Sequence, residues 1–237
     1  MPLDPQVEAM RAQREADDVP QLYTQTLAEA RAADLASIQA AGGSLEPVHH
    51  VEDLVMEEVG LPLRIYRPSD DGPFPTLVYF FGGGWTLGSI DTADGICRQL
   101  ANAVPCQVIT VGYRLAPENP FPTAVNDCHQ ATQWIAEHAA ELQVDPDRIA
   151  VGGDSAGGNL AAATTLLARE SGPAIAAQLL VYPNTLYGSD TASMRAGIDP
   201  FLFNRTSVDW YWDHYLTDQA DGRNELASPL LAESHYM

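Results

Sequence analysis

The 237-residue sequence contains no lysine, so its twelve strongly basic side chains are all arginines, against 32 aspartates and glutamates. Without a lysine amine there is no Schiff-base chemistry and no lysine-dependent phosphate loop. The formal net charge of −20 repels phosphate backbones and anionic lipid, which argues against nucleic-acid and membrane partners. Cysteine is scarce. Cys97, Cys106 and Cys128, an odd number without paired spacing, suggest neither a disulfide framework nor a metal site, and read as small buried hydrophobes. No apolar run is long enough to cross a bilayer. The start, Met1-Pro2-Leu3-Asp4, lacks the basic-then-apolar pattern of a secretion signal. A cytoplasmic location is the expectation.

What is present suits one sizeable folded domain, with 46% apolar residues. Residues 5–42 read as two helices rich in Ala, Glu, Gln and Arg, broken at Val19-Pro20, with Leu22, Leu27, Leu35 and Ile38 as an apolar stripe on the second. A surface helical pair and a lid over a site read alike at this level. Residues 54–59 and 61–66 predict a strand hairpin around Gly60-Leu61-Pro62. The short apolar runs at 76–81, 107–113, 148–152 and 177–182 suit strands buried on both faces of a mostly parallel sheet. Helical stretches at 92–103, 124–142 and 156–171 lie between them, which is the α/β pattern. From residue 184 the texture turns aromatic, with Phe201, Phe203, Trp210, Tyr211, Trp212 and Tyr215 either as ordinary packing or as walls of a pocket.

Gly153-Asp154-Ser155-Ala156-Gly157 fits the G-x-S-x-G elbow, with a strand expected before it and a helix after it. Side chains at the flanking glycines would collide with neighbouring backbone, and the helix start places N–H groups where negative charge develops. A plain glycine-rich turn is the other reading of these five residues. Phe81-Gly82-Gly83-Gly84-Trp85 follows a buried strand. It reads equally as a flexible loop or as a loop presenting N–H groups to a substrate oxygen, and the downstream elbow favours the second.

Those two motifs, with Tyr113-Arg114-Leu115-Ala116-Pro117-Glu118, Pro120-Phe121-Pro122 and the continuation Gly158-Asn159, resemble in order the signatures of the hormone-sensitive-lipase family of serine esterases. Ser228-Pro229-Leu230-Leu231 resembles the segment before that family's penultimate strand. The resemblance implies an α/β-hydrolase fold with a helical cap. It implies N-terminal cap helices over 1–50, the core over 51–183, and a second cap segment with a shortened C-terminus over 184–237. It implies hydrolysis of small carboxylic esters with neither metal nor organic cofactor. Ser155 would be the nucleophile. The N–H groups of Gly83, Gly84 and Ala156 would form the oxyanion hole, and Trp85 and Asp154 would line the substrate pocket.

Two departures stand out. The family usually has histidine where this chain has Phe81, so the glycine loop must be held by packing rather than by imidazole hydrogen bonds. Family members also continue into two more strands carrying an aspartate and a histidine, and neither element is recognisable before Met237. A serine hydroxyl needs a base. The other candidates are His49, His50, His129, His138, His214 and His235, of which His214 sits in the aromatic segment within reach of a pocket mouth and His235 lies close to the terminus. Lacking two strands, the sheet would end at 177–182 with an open edge. A second copy in a homodimer, the cap itself, or a separate remainder of the protein would cover it. The competing readings are a non-catalytic relative binding a small molecule or partner chain, and an amidase or elimination enzyme on the same scaffold.

Overall fold

In the computed structural model, which describes residues 3–234, six strands form one mixed sheet in the order β1-β2-β4-β3-β5-β6. Strand β1 (His50–Met56) pairs antiparallel with β2 (Leu61–Arg67), and β2 pairs antiparallel with β4 (Gln107–Val111). From there the sheet is parallel, through β3 (Phe74–Phe80), β5 (Val144–Asp154) and β6 (Ala177–Val181). Every residue of β4 is buried, and β3 is buried except at Pro75, as continuous apolar strands at the centre of a parallel sheet should be. Helices α3 (Asp94–Ala103), α4 (Thr123–Glu137), α5 (Ala139–Leu142) and α6 (Ala156–Glu170) flank these strands. This is the α/β architecture the sequence predicts.

The differences from the expected elements have physical causes. The helix expected over 124–142 breaks at His138, and α5 then ends on Gln143 in the left-handed region at φ 57. Strand β5 begins four residues earlier than expected. Its pairing with β3 jumps from Val144 to Ile149, so the polar stretch Asp145-Pro146-Asp147-Arg148 leaves the ladder as an irregularity. The N-terminal pair is present as α1 (Pro5–Ala16) and α2 (Leu27–Ala41). The expected apolar stripe is not their docking face: Leu22 sits in a separate 3-10 turn, Ile38 is 40% exposed, and Ala30 is the buried residue of α2. Helix α2 is held instead by Arg31. Its guanidinium donates to the Thr86 carbonyl at 2.9 Å, the Ala116 carbonyl at 3.0 Å and both oxygens of Glu118 at 2.8 Å. Helix α1 is tied to the later chain by Arg11, which donates to Asp199 at 2.6 Å and lies over the Phe201 ring.

After β6 come α7 (Ala192–Ala196) and α8 (Arg205–Tyr215). Helix α8 packs Trp212 and Tyr215 onto Trp85. The fully buried Asp127 carboxylate on α4 accepts from the backbone N–H of Arg114 at 3.0 Å and from its guanidinium at 3.0 and 2.6 Å. That clamp fixes the loop after β4, which carries the Arg31 contacts. Strand β6 is an edge of the sheet among the described residues, with Leu179 and Leu180 each 38% exposed. No described helix is long and apolar enough to cross a membrane.

Asp127→Ala leaves the partly buried Arg114 backbone N–H without its acceptor. Because Arg114 is half exposed and can turn to water, the expected loss is about 2 kcal/mol rather than the full cost of breaking a buried pair. Urea unfolding measures it, and Asp127→Asn, which keeps an acceptor for the N–H, should lose less.

Candidate active site

Ser155 is the single residue between β5 and α6, and it is held at φ 53 and ψ −117. A non-glycine residue in that region is strained by about 1–3 kcal/mol and persists only where its surroundings fix it. Here they do. The Ser155 N–H donates to the Val181 carbonyl at 2.9 Å, and its carbonyl accepts from the N–H groups of Asn159 at 3.1 Å and Asn184 at 3.2 Å. A Cβ at Gly157 would strike the carbonyl of Phe80, and one at Gly153 would strike the same carbonyl and the backbone of Gly157. These glycines let the start of α6 lie directly against the end of β3.

The glycine loop is built against that turn. One oxygen of Asp154 accepts from the Tyr79 hydroxyl at 2.8 Å and from the Gly82 N–H at 3.0 Å. Phe81 stacks on Tyr113 with ring centroids 4.3 Å apart, and the Tyr113 hydroxyl donates to the Phe81 carbonyl at 2.8 Å. Burial pushes the hydroxyls of Tyr79 and Tyr113 well up, so both stay protonated and donate at neutral pH. Gly83 and Gly84 adopt φ 117 and 58, and the Gly83 carbonyl accepts from Thr86 and Leu87. Among the described residues, neither the Gly83 nor the Gly84 N–H donates to a protein acceptor. The ring of Tyr211, on α8, occupies the place a Gly84 side chain would need.

The structure therefore brings the Ser155 turn, Asp154 and the glycine loop together. Asp154 acts as the tie between them through bonds that no local sequence pattern signals. Trp85 departs from the expected pocket wall. Its ring is 0% exposed, stacked 4.2 Å from Tyr215 and packed on Trp212, so it supports the site from behind. Ser155 opens on a cleft of about 360 Å³ whose lining includes Tyr182, Asn184, Met194, Phe203 and Trp212.

No histidine among the described residues lines that cleft. His49 and His50 pair with Asp70 and Glu52. His129 donates to the Ser171 carbonyl at 2.7 Å and His138 to the Trp134 carbonyl at 2.9 Å. His214, which the sequence placed within reach of a pocket mouth, donates to the Trp210 carbonyl at 2.7 Å. His235 lies outside the described residues.

Asp34 of α2, a residue without any motif to mark it, lines a neighbouring cavity rather than the Ser155 cleft. Burial pushes its carboxyl up, and the charge of Asp154 adds to the effect. Burial also pushes up the Tyr211 hydroxyl, with the charge of Asp34 contributing.

A family model described as alpha/beta hydrolase fold matches residues 77–237. The chain is 46% identical over 181 residues to the carboxylic ester hydrolase LipN of Mycobacterium tuberculosis, which covers 73% of this chain and 48% of that protein. It is 45% identical over 193 residues to an arylesterase of Saccharolobus solfataricus, covering 79% and 62% respectively. The chain thus spans about half to three-fifths of the length of these relatives. Among solved structures, a hyperthermophilic esterase from the archaeon Pyrobaculum calidifontis superposes with a TM-score of 0.90 at 36% identity, covering 98% of this chain and 76% of that one.

Two outcomes are expected from this geometry. Gly157→Ala forces a methyl group into the Phe80 carbonyl and should cost about 3 kcal/mol or prevent soluble folding, read by urea unfolding. Asp34→Asn should stabilise the chain. The raised carboxyl pKa means that folding loses stability as pH climbs from the unfolded value of about 3.9 through the higher folded one. The asparagine variant should therefore melt higher at pH 7, with the gain vanishing near pH 3; equal melting temperatures at pH 7 would contradict it.

Proposed function

The chain belongs to the alpha/beta hydrolase fold family, in its hormone-sensitive-lipase-type branch, and on that premise we propose that it is built to cleave small carboxylic esters with Ser155 as nucleophile. The observation that carries the reading is the strained Ser155, fixed by three backbone hydrogen bonds with its side chain at the Ser155 cleft, beside a glycine loop with uncommitted N–H groups. In this reading the Ser155 Oγ attacks the ester carbonyl carbon. The carbonyl oxygen takes up the negative charge and is stabilised by the N–H groups of Gly83, Gly84 and Ala156. Collapse breaks the ester C–O bond, the leaving alkoxide takes up the proton given up by the Ser155 hydroxyl and departs as the alcohol, and the remaining acyl-serine is hydrolysed by water to the acid and free Ser155. Asp154 positions the loop rather than touching substrate. Helices α1 and α2 with residues 184–234 serve as the cap, and a cleft of about 360 Å³ suits a short, mostly apolar acyl or alcohol group.

Attack by a serine hydroxyl requires a base, and no described histidine supplies one. Without such a base, only what binding and the oxyanion hole provide would remain, on the order of a thousandfold to ten-thousandfold over water. The same observation favours a second reading, a chain that binds small esters or acids without turning them over.

Labelling with a p-nitrophenyl phosphonate, followed by intact mass, separates the two. The esterase reading expects slow release of one p-nitrophenolate and a single adduct on Ser155, absent from Ser155→Ala. Prolonged exposure that leaves the wild-type mass unchanged would sink it in favour of the binding reading.

A further inference from the structure

A second cavity, of about 340 Å³, lies between α1, α2 and the chain around residues 200–211. It shares Phe203 with the Ser155 cleft, and it reaches Leu87, just past the glycine loop, and Tyr211 of α8, whose ring lies against Gly84. Its walls are largely apolar, but two charged side chains enter it, Arg14 and Asp34. The Nε of Arg14 is shut off from solvent and has no hydrogen-bond partner. No carboxylate among the described residues lies within ion-pair distance of it. Arg11, one turn earlier on the same helix, holds Asp199 and Glu15 at 2.6 Å each. Arg14 as a whole is partly exposed and no carboxylate of the described chain neutralises it, so its remaining N–H groups are the donors open to an anionic ligand in the cavity.

We propose that this cavity is a subsite for a carboxylate on the ligand, with Arg14 as its recognition group. The ligand class is a half-ester of a short dicarboxylic acid, its free carboxylate on Arg14 and its ester end directed past Phe203 toward Ser155. The orientation of the ester end rests on the esterase reading, whereas the carboxylate site does not. A guanidinium meets a carboxylate with paired N–H donors, which a neutral ester cannot match. Asp34 shares the cavity. Its raised pKa makes it easier to protonate, and a protonated carboxyl donates a further hydrogen bond to an anion. The apolar remainder of the cavity suits the methylene spacer of such a diacid.

The test is isothermal titration of monoethyl succinate and diethyl succinate into the 237-residue chain carrying Ser155→Ala, which prevents acylation during the measurement. The monoester is expected to bind at least tenfold tighter than the diester. Adding Arg14→Gln should bring the ratio of the two affinities to about one, and adding Arg14→Lys, which keeps the charge, should retain part of the preference; melting curves confirm that each variant is folded. A ratio near one in the starting chain, a preference that survives Arg14→Gln, or binding of neither ligand overturns the proposal. Phosphonate labelling of the unsubstituted chain keeps the two readings apart. Arg14-dependent preference without labelling leaves the subsite standing and removes the esterase reading, while labelling without the preference does the reverse.

Discussion

Everything at the site depends on how closely α6 can approach the end of β3. The Phe80 carbonyl lies where side chains on Gly153 and Gly157 would have to be, and glycine removes the atoms that would hold the two elements apart. Once the approach is made, Ser155 has little freedom. Its N–H is committed to Val181 and its carbonyl to Asn159 and Asn184, so the backbone stays in a region that serine otherwise avoids. The same approach sets Asp154 beside Gly82, and one carboxylate oxygen holds both the loop and the Tyr79 hydroxyl.

Around that contact, arginines do the joining over long sequence distances. Arg31 connects α2 to the Thr86 and Ala116 carbonyls and to Glu118; Arg11 connects α1 to Asp199; Arg114 is itself clamped by Asp127. A guanidinium can serve two or three acceptors at once in a fixed fork, which a single ammonium does less well. In a lysine-free chain the strongly basic side chains are thus also the ones suited to stapling helices onto a core. The Phe81 position shows the same economy: a ring stacked on Tyr113 and a hydroxyl on its own carbonyl hold the loop.

The central strands were legible because burial on both faces leaves a continuous apolar run, as in β3 and β4. The two glycine motifs were legible because each glycine answers a backbone demand that is local in sequence. The start of β5 was not, since Asp145-Pro146-Asp147-Arg148 reads as a loop and only pairing with β3 reveals the strand on its far side. The break at His138 was hidden among good helix formers. Trp85 looked like a pocket wall because aromatic residues serve walls and cores equally, and only its partners Tyr215 and Trp212 decide between them. Asp34, Arg31 and Arg14 carry no periodic or motif signal, and their roles come from contacts made across the fold. Histidines are judged by position, and the five that the structure describes are turned to other partners.

The edge strand β6 has a consequence for behaviour in solution. It presents Leu179 and Leu180, with Tyr182 just beyond it 73% exposed, on a chain whose net charge is −20. The exposed strand invites pairing with a like strand, and the charge holds copies apart. Only the second of these is screened by salt, whose reach falls to roughly 3 Å at 1 M. Raising ionic strength therefore removes the barrier and leaves the attraction. For a chain in which β6 is left as an edge, dilute buffer is expected to keep copies dispersed and concentrated salt to favour strand-paired assemblies, a colloidal balance set by one strand and the sign of the whole surface.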